Sequence, residues 1–282
     1  MADQPREDKV KLYQVKTAQY LLLPGPDFIS AQLRRGDEWE EGTITISRLL
    51  LNYRPSPVVV DIGANLGAYA VPMGLLLKPV GGTLHAFEPQ RMVYYQLCGN
   101  LFANQLDNCF ANNLAVGDSE REINVPVLDL ATEQNVGSLS LDPEIRKQQG
   151  TISSRITRTE KVRMVRMDDF GLPPADLVKI DVEGLELEVI RGAAEYLKKS
   201  GNPPLLFEVW GDYMKGQIGK RKRLMEFVTK ELGYETVLLG ELCVAQHPDR
   251  KAISLTWRED KSLEIRALPP QQADKVQTQP VS

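Results

Sequence analysis

The residues with the clearest chemical meaning lie at the ends of two apolar runs. In VVVDIGANLG (58–67) Asp61 runs straight into Gly63-Ala64-Asn65 and Gly67, and in HAFEPQ (85–90) Glu88 closes the next run twenty-seven residues after Asp61. Glycine at such a turn lets backbone approach a ligand where a side chain would collide, and an acid at the end of the following strand can accept hydrogen bonds from both hydroxyls of a ribose. Together they point to an adenosine-bearing cofactor. The spacing is Asp-x-Gly-x-x-x-Gly, without the G-x-G-x-x-G that seats a pyrophosphate on a helix N-terminus and without the lysine of G-x-x-x-x-G-K-[ST]. NAD and nucleoside triphosphates are therefore disfavoured. S-adenosylmethionine, which has no phosphate and carries a positive sulfonium, suits an acidic loop better.

The elements that must position these residues follow from hydrophobic periodicity. Strand-like runs at 58–63, 83–88, 108–116, 176–182 and 204–210 alternate with helical patterns. Val93, Tyr94, Leu97, Cys98, Leu101 and Phe102 recur at helical spacing, as do Leu185, Val189, Ile190, Ala193 and Leu197, whose opposite face is read as Glu186, Glu188, Arg191, Lys198 and Lys199. Alternating strands and helices predict an α/β fold: a doubly wound, mostly parallel sheet of seven strands, ending in an antiparallel edge hairpin built from the pieces at 234–239 and 242–246, with a further strand at 252–257. Residues 1–52 are expected to form a small helical or irregular N-terminal cap without its own core, and 53–260 the main domain. The connection 124–166 is read as an inserted, mobile lid over the acceptor, and 261–282 as a disordered tail.

The chain has 282 residues, 42% hydrophobic and 26% charged, with net charge −4. That composition excludes collagen-like and wholly disordered classes and argues against a surface built throughout for nucleic acid. Cys98, Cys109 and Cys243 form no CxxC pair, which removes a disulfide framework and a zinc knuckle. The polar N-terminus and the lack of a long apolar run predict a soluble, cytoplasmic protein with no membrane partner.

The ordered set VVVDIGANLGAYA (58–70), HAFEPQ (85–90), NNLAVGD (112–118), VGSLSL (136–141), VRMDDF (165–170), LVKIDVEGLELEVIRGA (177–193) and LLFEVW (205–210) resembles the FkbM-type S-adenosylmethionine-dependent methyltransferases over roughly residues 38–210. The resemblance implies a Rossmann-like class I methyltransferase sheet and methylation of a hydroxyl on a small molecule, sugar or glycan. It also implies that Asp61, Gly63, Ala64, Asn65 and Gly67 surround the methionine part of the cofactor, that Glu88 binds its ribose, and that Asn113 and Ala115 border its adenine. Asp181, Glu183 and Glu208 then face the methyl group and the acceptor.

Methyl transfer from a sulfonium is an in-line displacement, so alignment of acceptor oxygen and methyl carbon supplies much of the catalysis. A carboxylate can orient the hydroxyl and take its proton late, with Asp181 the first candidate and Glu183 and Glu208 behind it. Alternatively these acids hold a divalent metal, since hard oxygen ligands suit magnesium. The sequence leaves base and metal open. It leaves open two further readings. Arg146, Lys147, Arg155, Arg158, Lys161, Arg163 and Arg166 stand against a single Glu160 within 146–166, and Lys220-Arg221-Lys222-Arg223 follows, so these residues are either a solvated surface or a grip on an anionic polymer or RNA. A cofactor-fold protein acting only as a binding module is the other.

Overall fold

Short runs rich in β-branched and aliphatic residues form the central strands, where VVVDI, TLHAF and LVKI are ended by Gly63, Glu88 and Asp181. The computed structural model describes residues 9–52, 54–130, 135–149, 158–258 and 262–269. The chain opens with a hairpin, β1 (Lys11–Val15) and β2 (Ala18–Leu22), and two helices, α1 (Phe28–Arg34) and α2 (Glu41–Leu50). Then come β3 (Val58–Ile62), α3 (Ala70–Leu77), β4 (Thr83–Phe87), α4 (Arg91–Ala103) and β5 (Cys109–Asn112). A side structure follows: β6 (Ala115–Val116), β7 (Arg121–Pro126), α5 (Pro143–Gln149), β8 (Thr159–Val165) and α6 (Met167–Phe170). The chain returns through β9 (Leu177–Ile180), α7 (Glu186–Arg191), α8 (Ala194–Lys199), β10 (Leu205–Glu208), α9 (Ile218–Glu226), β11 (Glu235–Leu239) and β12 (Leu242–Gln246), and ends in β13 (Ile253–Trp257) and β14 (Leu263–Ala267).

Among the described residues seven strands form one sheet in the order β11-β12-β10-β9-β3-β4-β5. Strands β10, β9, β3, β4 and β5 are parallel, while β12 runs antiparallel to both β10 and β11. Chain order reverses between β3 and β9, and ligands of such sheets bind outside the carboxyl ends of the strands at that reversal. Side chains alternate across the sheet. Val59, Leu177 and Leu206 pack on the face covered by the N-terminal segment, α3 and α4, whereas Val60, Ile62, Val178, Ile180 and Phe207 pack on the face covered by α7, α8 and α9. Burial of both faces explains why these strands read as continuous apolar runs.

Several expectations need correction. The N-terminal segment is a β-hairpin with two helices, and Tyr20, Leu22, Leu33 and Ile46 share one cluster with Val59, Leu66 and Leu97, so it has no separate core. Phe102 is 85% exposed, because α4 turns that position away from the sheet. The predicted stripe from Leu185 to Leu197 is two helices, α7 and α8, separated at Gly192 and Ala193. The strand at 252–257 lies outside the large sheet and pairs with β14, so residues 263–267 of the expected tail are a strand, and residues 270–282 lie outside the described residues. Within the 124–166 connection, expected as an inserted lid, β8 pairs with β7 and β6 in a three-stranded sheet.

One buried side chain ties the hairpin to the main sheet. Asn100 on α4 accepts from Leu21 N at 2.6 Å and donates to Leu66 O at 2.7 Å. Asn100→Ala strands both backbone groups, and urea unfolding should show a loss of about 1–3 kcal/mol for each of them.

Candidate functional site

Strand register alone brings two opposite charges side by side inside the protein. Asp61 on β3 and Lys179 on β9 are paired residues of adjacent strands and so point to the same face. Asp61 is 0% exposed and Lys179 is 5% exposed. The Lys179 Nζ lies 3.6 Å from Asp61 Oδ1 and 3.2 Å from Asp181 Oδ2, and sits 5.3 Å from the centre of the Tyr69 ring. The Tyr69 hydroxyl is in turn hydrogen-bonded to Ser47 Oγ at 2.8 Å, which anchors the ring to α2. Neither Asp61 oxygen has a hydrogen-bond partner among the described residues. Burial raises the Asp61 pKa to about 6, with Lys179 acting against the rise. Burial alone would lower the Lys179 pKa, but Asp181, Glu40 and Asp61 outweigh it and hold the ammonium above its ordinary value.

The turn after β3 is shaped by a close approach. Gly63 has φ +85°, and a Cβ there would stand 1.8 Å from the Asp181 carbonyl oxygen. Asp181 N donates to Ile62 O at 2.9 Å, and Gly63 N and Ala64 N both donate to Phe87 O at 2.9 Å. Three strand ends are thereby stitched together. At the end of β4 the Glu88 carboxylate accepts from Asn65 N (2.9 Å) through Oε2 and from Gln90 N (2.8 Å) through Oε1. Burial lifts Glu88 to about pKa 7 against those two bonds.

Above these ends lies a cavity of about 210 Å³, whose walls include Gly63, Ala64, Asn65, Glu88, Asp181, Glu183 and Glu208. These seven predicted residues do come together. Asp61 lies beneath the cavity, and Gly67 packs toward Leu97, so neither forms its wall. Asn113 and Ala115 are not on the wall either. Asn113 Nδ2 donates to the backbone oxygens of Glu88 and Pro89, steadying the Glu88 turn, and Ala115 sits in β6 because the third strand stops at Asn112.

Asp181, Glu183 and Glu208 each offer a carboxylate oxygen within 4.8 Å of the others. Burial pushes Glu183 up to about 10, reinforced by Glu208 and Asp181, and Glu208 up to about 8, reinforced by Asp181. Trp210 Nε1 donates to Glu208 Oε2 at 2.8 Å. Burial and mutual repulsion thus favour the protonated forms of Glu183 and Glu208, and Asp181 alone of the three has an ammonium against it. Three carboxylates are a chemically suitable donor set for a divalent ion, but the positive charge already touching Asp181 competes with it.

Sequence reading missed four residues here. Trp39 and Glu40, at the N-terminus of α2, and Tyr69 and Lys179 all line the cavity. Glu40 has φ +53°, a left-handed backbone that turns the chain into α2. Glu186, read as solvent-facing, is buried and its Oε1 accepts from Gly184 N at 3.1 Å and Val182 N at 3.3 Å, closing the turn after β9. A second space of about 160 Å³ shares Glu40, Lys179, Asp181 and Glu208 with the first and adds Thr43 and Glu241.

The basic stretch is matched by acids the linear count overlooked. Strand β7 and the turn before it bring Glu122 to Lys161 at 3.1 Å and Glu120 to Arg163 at 3.0 Å, and Glu160 bridges Arg91 and Arg158. Lys220 meets Glu188 at 2.9 Å and Arg221 meets Asp212 at 2.6 Å. Arg155 lies outside the described residues.

Residues 61–235 match the Methyltransferase FkbM domain, which is more than half of the chain. The chain belongs to the FkbM methyltransferase family. A curated relative, Methyltransferase sdnD of Sordaria araneosa, is 28% identical over 167 residues, covering 52% of this chain and 64% of that protein. A solved FkbM methyltransferase from Methylobacillus flagellatus KT superposes with TM-score 0.47 at 15% identity, covering 71% of this chain and 48% of that one. This FkbM-family chain thus spans less than two thirds of the length of either relative. Among its described residues no helix is long and apolar enough to cross a membrane.

The raised carboxyls of this family member have a measurable consequence. A buried acid whose folded pKa lies above its unfolded value binds more protons in the folded state between the two, so stability falls as pH rises through that window. For Glu183 the window runs from about 4.5 to about 10. Glu183→Gln should therefore flatten the pH dependence and stabilise the protein more at pH 9 than at pH 5 in urea unfolding.

Proposed function

We propose that the protein is an S-adenosylmethionine-dependent methyltransferase acting on a hydroxyl of a small molecule, sugar or glycan. The observation that carries this reading is Glu88 at the end of β4, facing a cavity floored by Gly63-Ala64-Asn65 at the point where strand order reverses. Both Glu88 oxygens keep lone pairs free beyond the backbone N–H each already accepts, which suits a ribose diol. When bound, the cofactor supplies an electrophilic methyl carbon on a sulfonium.

On this reading the side chains of the chain divide the work. Asn65 and Gln90 fix the Glu88 carboxylate, so the ribose finds an acceptor that is already oriented. Asp181, on the cavity wall beside Glu183 and Glu208, would hold the acceptor hydroxyl and take its proton as that oxygen receives the methyl group. Glu183 and Glu208 line the same cavity and hydrogen-bond other oxygens of the acceptor. Trp39 and Phe28 close the cavity from the N-terminal side and limit water. The ion pairing of the 158–166 arginines and lysines argues against an anionic polymer as acceptor. The joint presence of Asp61, Glu88 and Asp181 at one sheet end argues against a binding module without chemistry.

Calorimetric titration with S-adenosylhomocysteine tests the cofactor assignment. Wild type should bind in the micromolar range and Glu88→Ala should bind about tenfold to a hundredfold more weakly, the worth of hydrogen bonds to a charged group. A folded wild type that binds nothing would end the assignment. With radiolabelled methyl donor and a panel of polyhydroxylated acceptors, Asp181→Asn should lower the rate by about 10² to 10⁴, the usual contribution of a general base.

A further inference from the structure

The cluster of Asp181, Glu183 and Glu208 invites a divalent metal, but the strand register that pairs Asp61 with Lys179 places a protein cation at that end of the cavity already. Lys179 is buried, reaches Asp181 Oδ2 at 3.2 Å, and is held from behind by Asp61 Oδ1 at 3.6 Å and by the Tyr69 ring. Lys179 also lines both the 210 Å³ cavity and the adjoining 160 Å³ space, together with Glu40, Asp181 and Glu208. A magnesium or manganese ion at roughly 2.1 Å from the Asp181 oxygen that the ammonium engages would stand no more than about 5.3 Å from the ammonium, close enough for the two cations to repel.

We propose that Lys179 is the resident cation of this acidic end: it is a positioning residue that fixes the Asp181 carboxylate at the wall shared by the two cavities and excludes a divalent metal from the three acids. The ammonium engages Oδ2, leaving Oδ1 for the group that accepts the methyl. The purpose assigned to Asp181 rests on the methyltransferase reading above, but the occupancy of the cluster by an ammonium does not.

The test uses the full chain and manganese alone as probe, followed by calorimetry and by the loss of the free-ion electron paramagnetic resonance signal. Wild type should bind no manganese more tightly than millimolar. Lys179→Met should gain at least tenfold in manganese affinity, Lys179→Arg should stay at the wild-type level, and Asp181→Asn added to Lys179→Met should remove the gain. Should Lys179→Met not fold, Lys179→Met with Asp61→Asn, which removes the carboxylate stranded by the loss of the ammonium, carries the same measurement. Micromolar manganese binding by wild type that Asp181→Asn abolishes would overturn the proposal, as would a folded Lys179→Met variant with unchanged affinity. Titration with S-adenosylhomocysteine run beside it separates the two readings, because a protein that excludes manganese yet binds no S-adenosylhomocysteine would sink the cofactor assignment and leave Lys179 as described.

Discussion

The ion pair between Asp61 and Lys179 is the constraint around which the sheet end is arranged. An aspartate with no exposed surface and no hydrogen-bond donor among the described residues is costly to keep, and the ammonium 3.6 Å away offsets that cost. The same ammonium reaches Asp181, so a single side chain joins the ends of β3 and β9, the two strands that flank the reversal of strand order. Removing either partner of such a pair leaves an uncompensated charge in the core. The arrangement therefore serves position more than stability. It sets where Asp181 stands relative to the cavity, and Tyr69 with Ser47 carries that setting into α2.

From this pair outward, each layer restricts the next. The Gly63 turn can press against the Asp181 carbonyl only without a Cβ, and that closeness lets Gly63 and Ala64 reach Phe87 O and Asn65 reach Glu88. Glu88 is thus oriented by the turn it faces. The N-terminal hairpin and helices add Trp39 and Glu40 to the far wall, and they can do so because their apolar side chains complete the same core as α3 and α4. Fold and site are one structure here, since the cavity wall is assembled from strand ends, a turn and the segment that covers them.

Much of this was legible in the sequence because the signals were local. The apolar runs ending in Asp61, Glu88, Asp181 and Glu208 gave strands with acids at their carboxyl ends, and alternation with helices gave the sheet. What stayed hidden depended on distant pairing. Lys179 reads as an interruption of an apolar run until β3 and β9 are set in register, after which it faces Asp61. Glu40 and Trp39 lie in a charged stretch with no periodicity, and only the packing of α2 brings them to the cavity. Glu186 sits at a helical position that looks solvent-facing, but the turn after β9 folds its backbone N–H groups onto that carboxylate. The run from 108 to 116 reads as one strand but is two strands in two sheets, which puts Ala115 in β6, a break that β-propensity alone does not mark.

The most direct test of the account is a crystal structure of the full chain with S-adenosylhomocysteine. The account predicts both ribose hydroxyls within hydrogen-bonding distance of the Glu88 carboxylate, the chain of the homocysteine along Gly63-Ala64-Asn65, and the sulfur toward Asp181 with the Lys179 ammonium still on Asp181 Oδ2. A ligand whose ribose lies away from Glu88, or whose sulfur points away from Asp181 and Glu208, would contradict it.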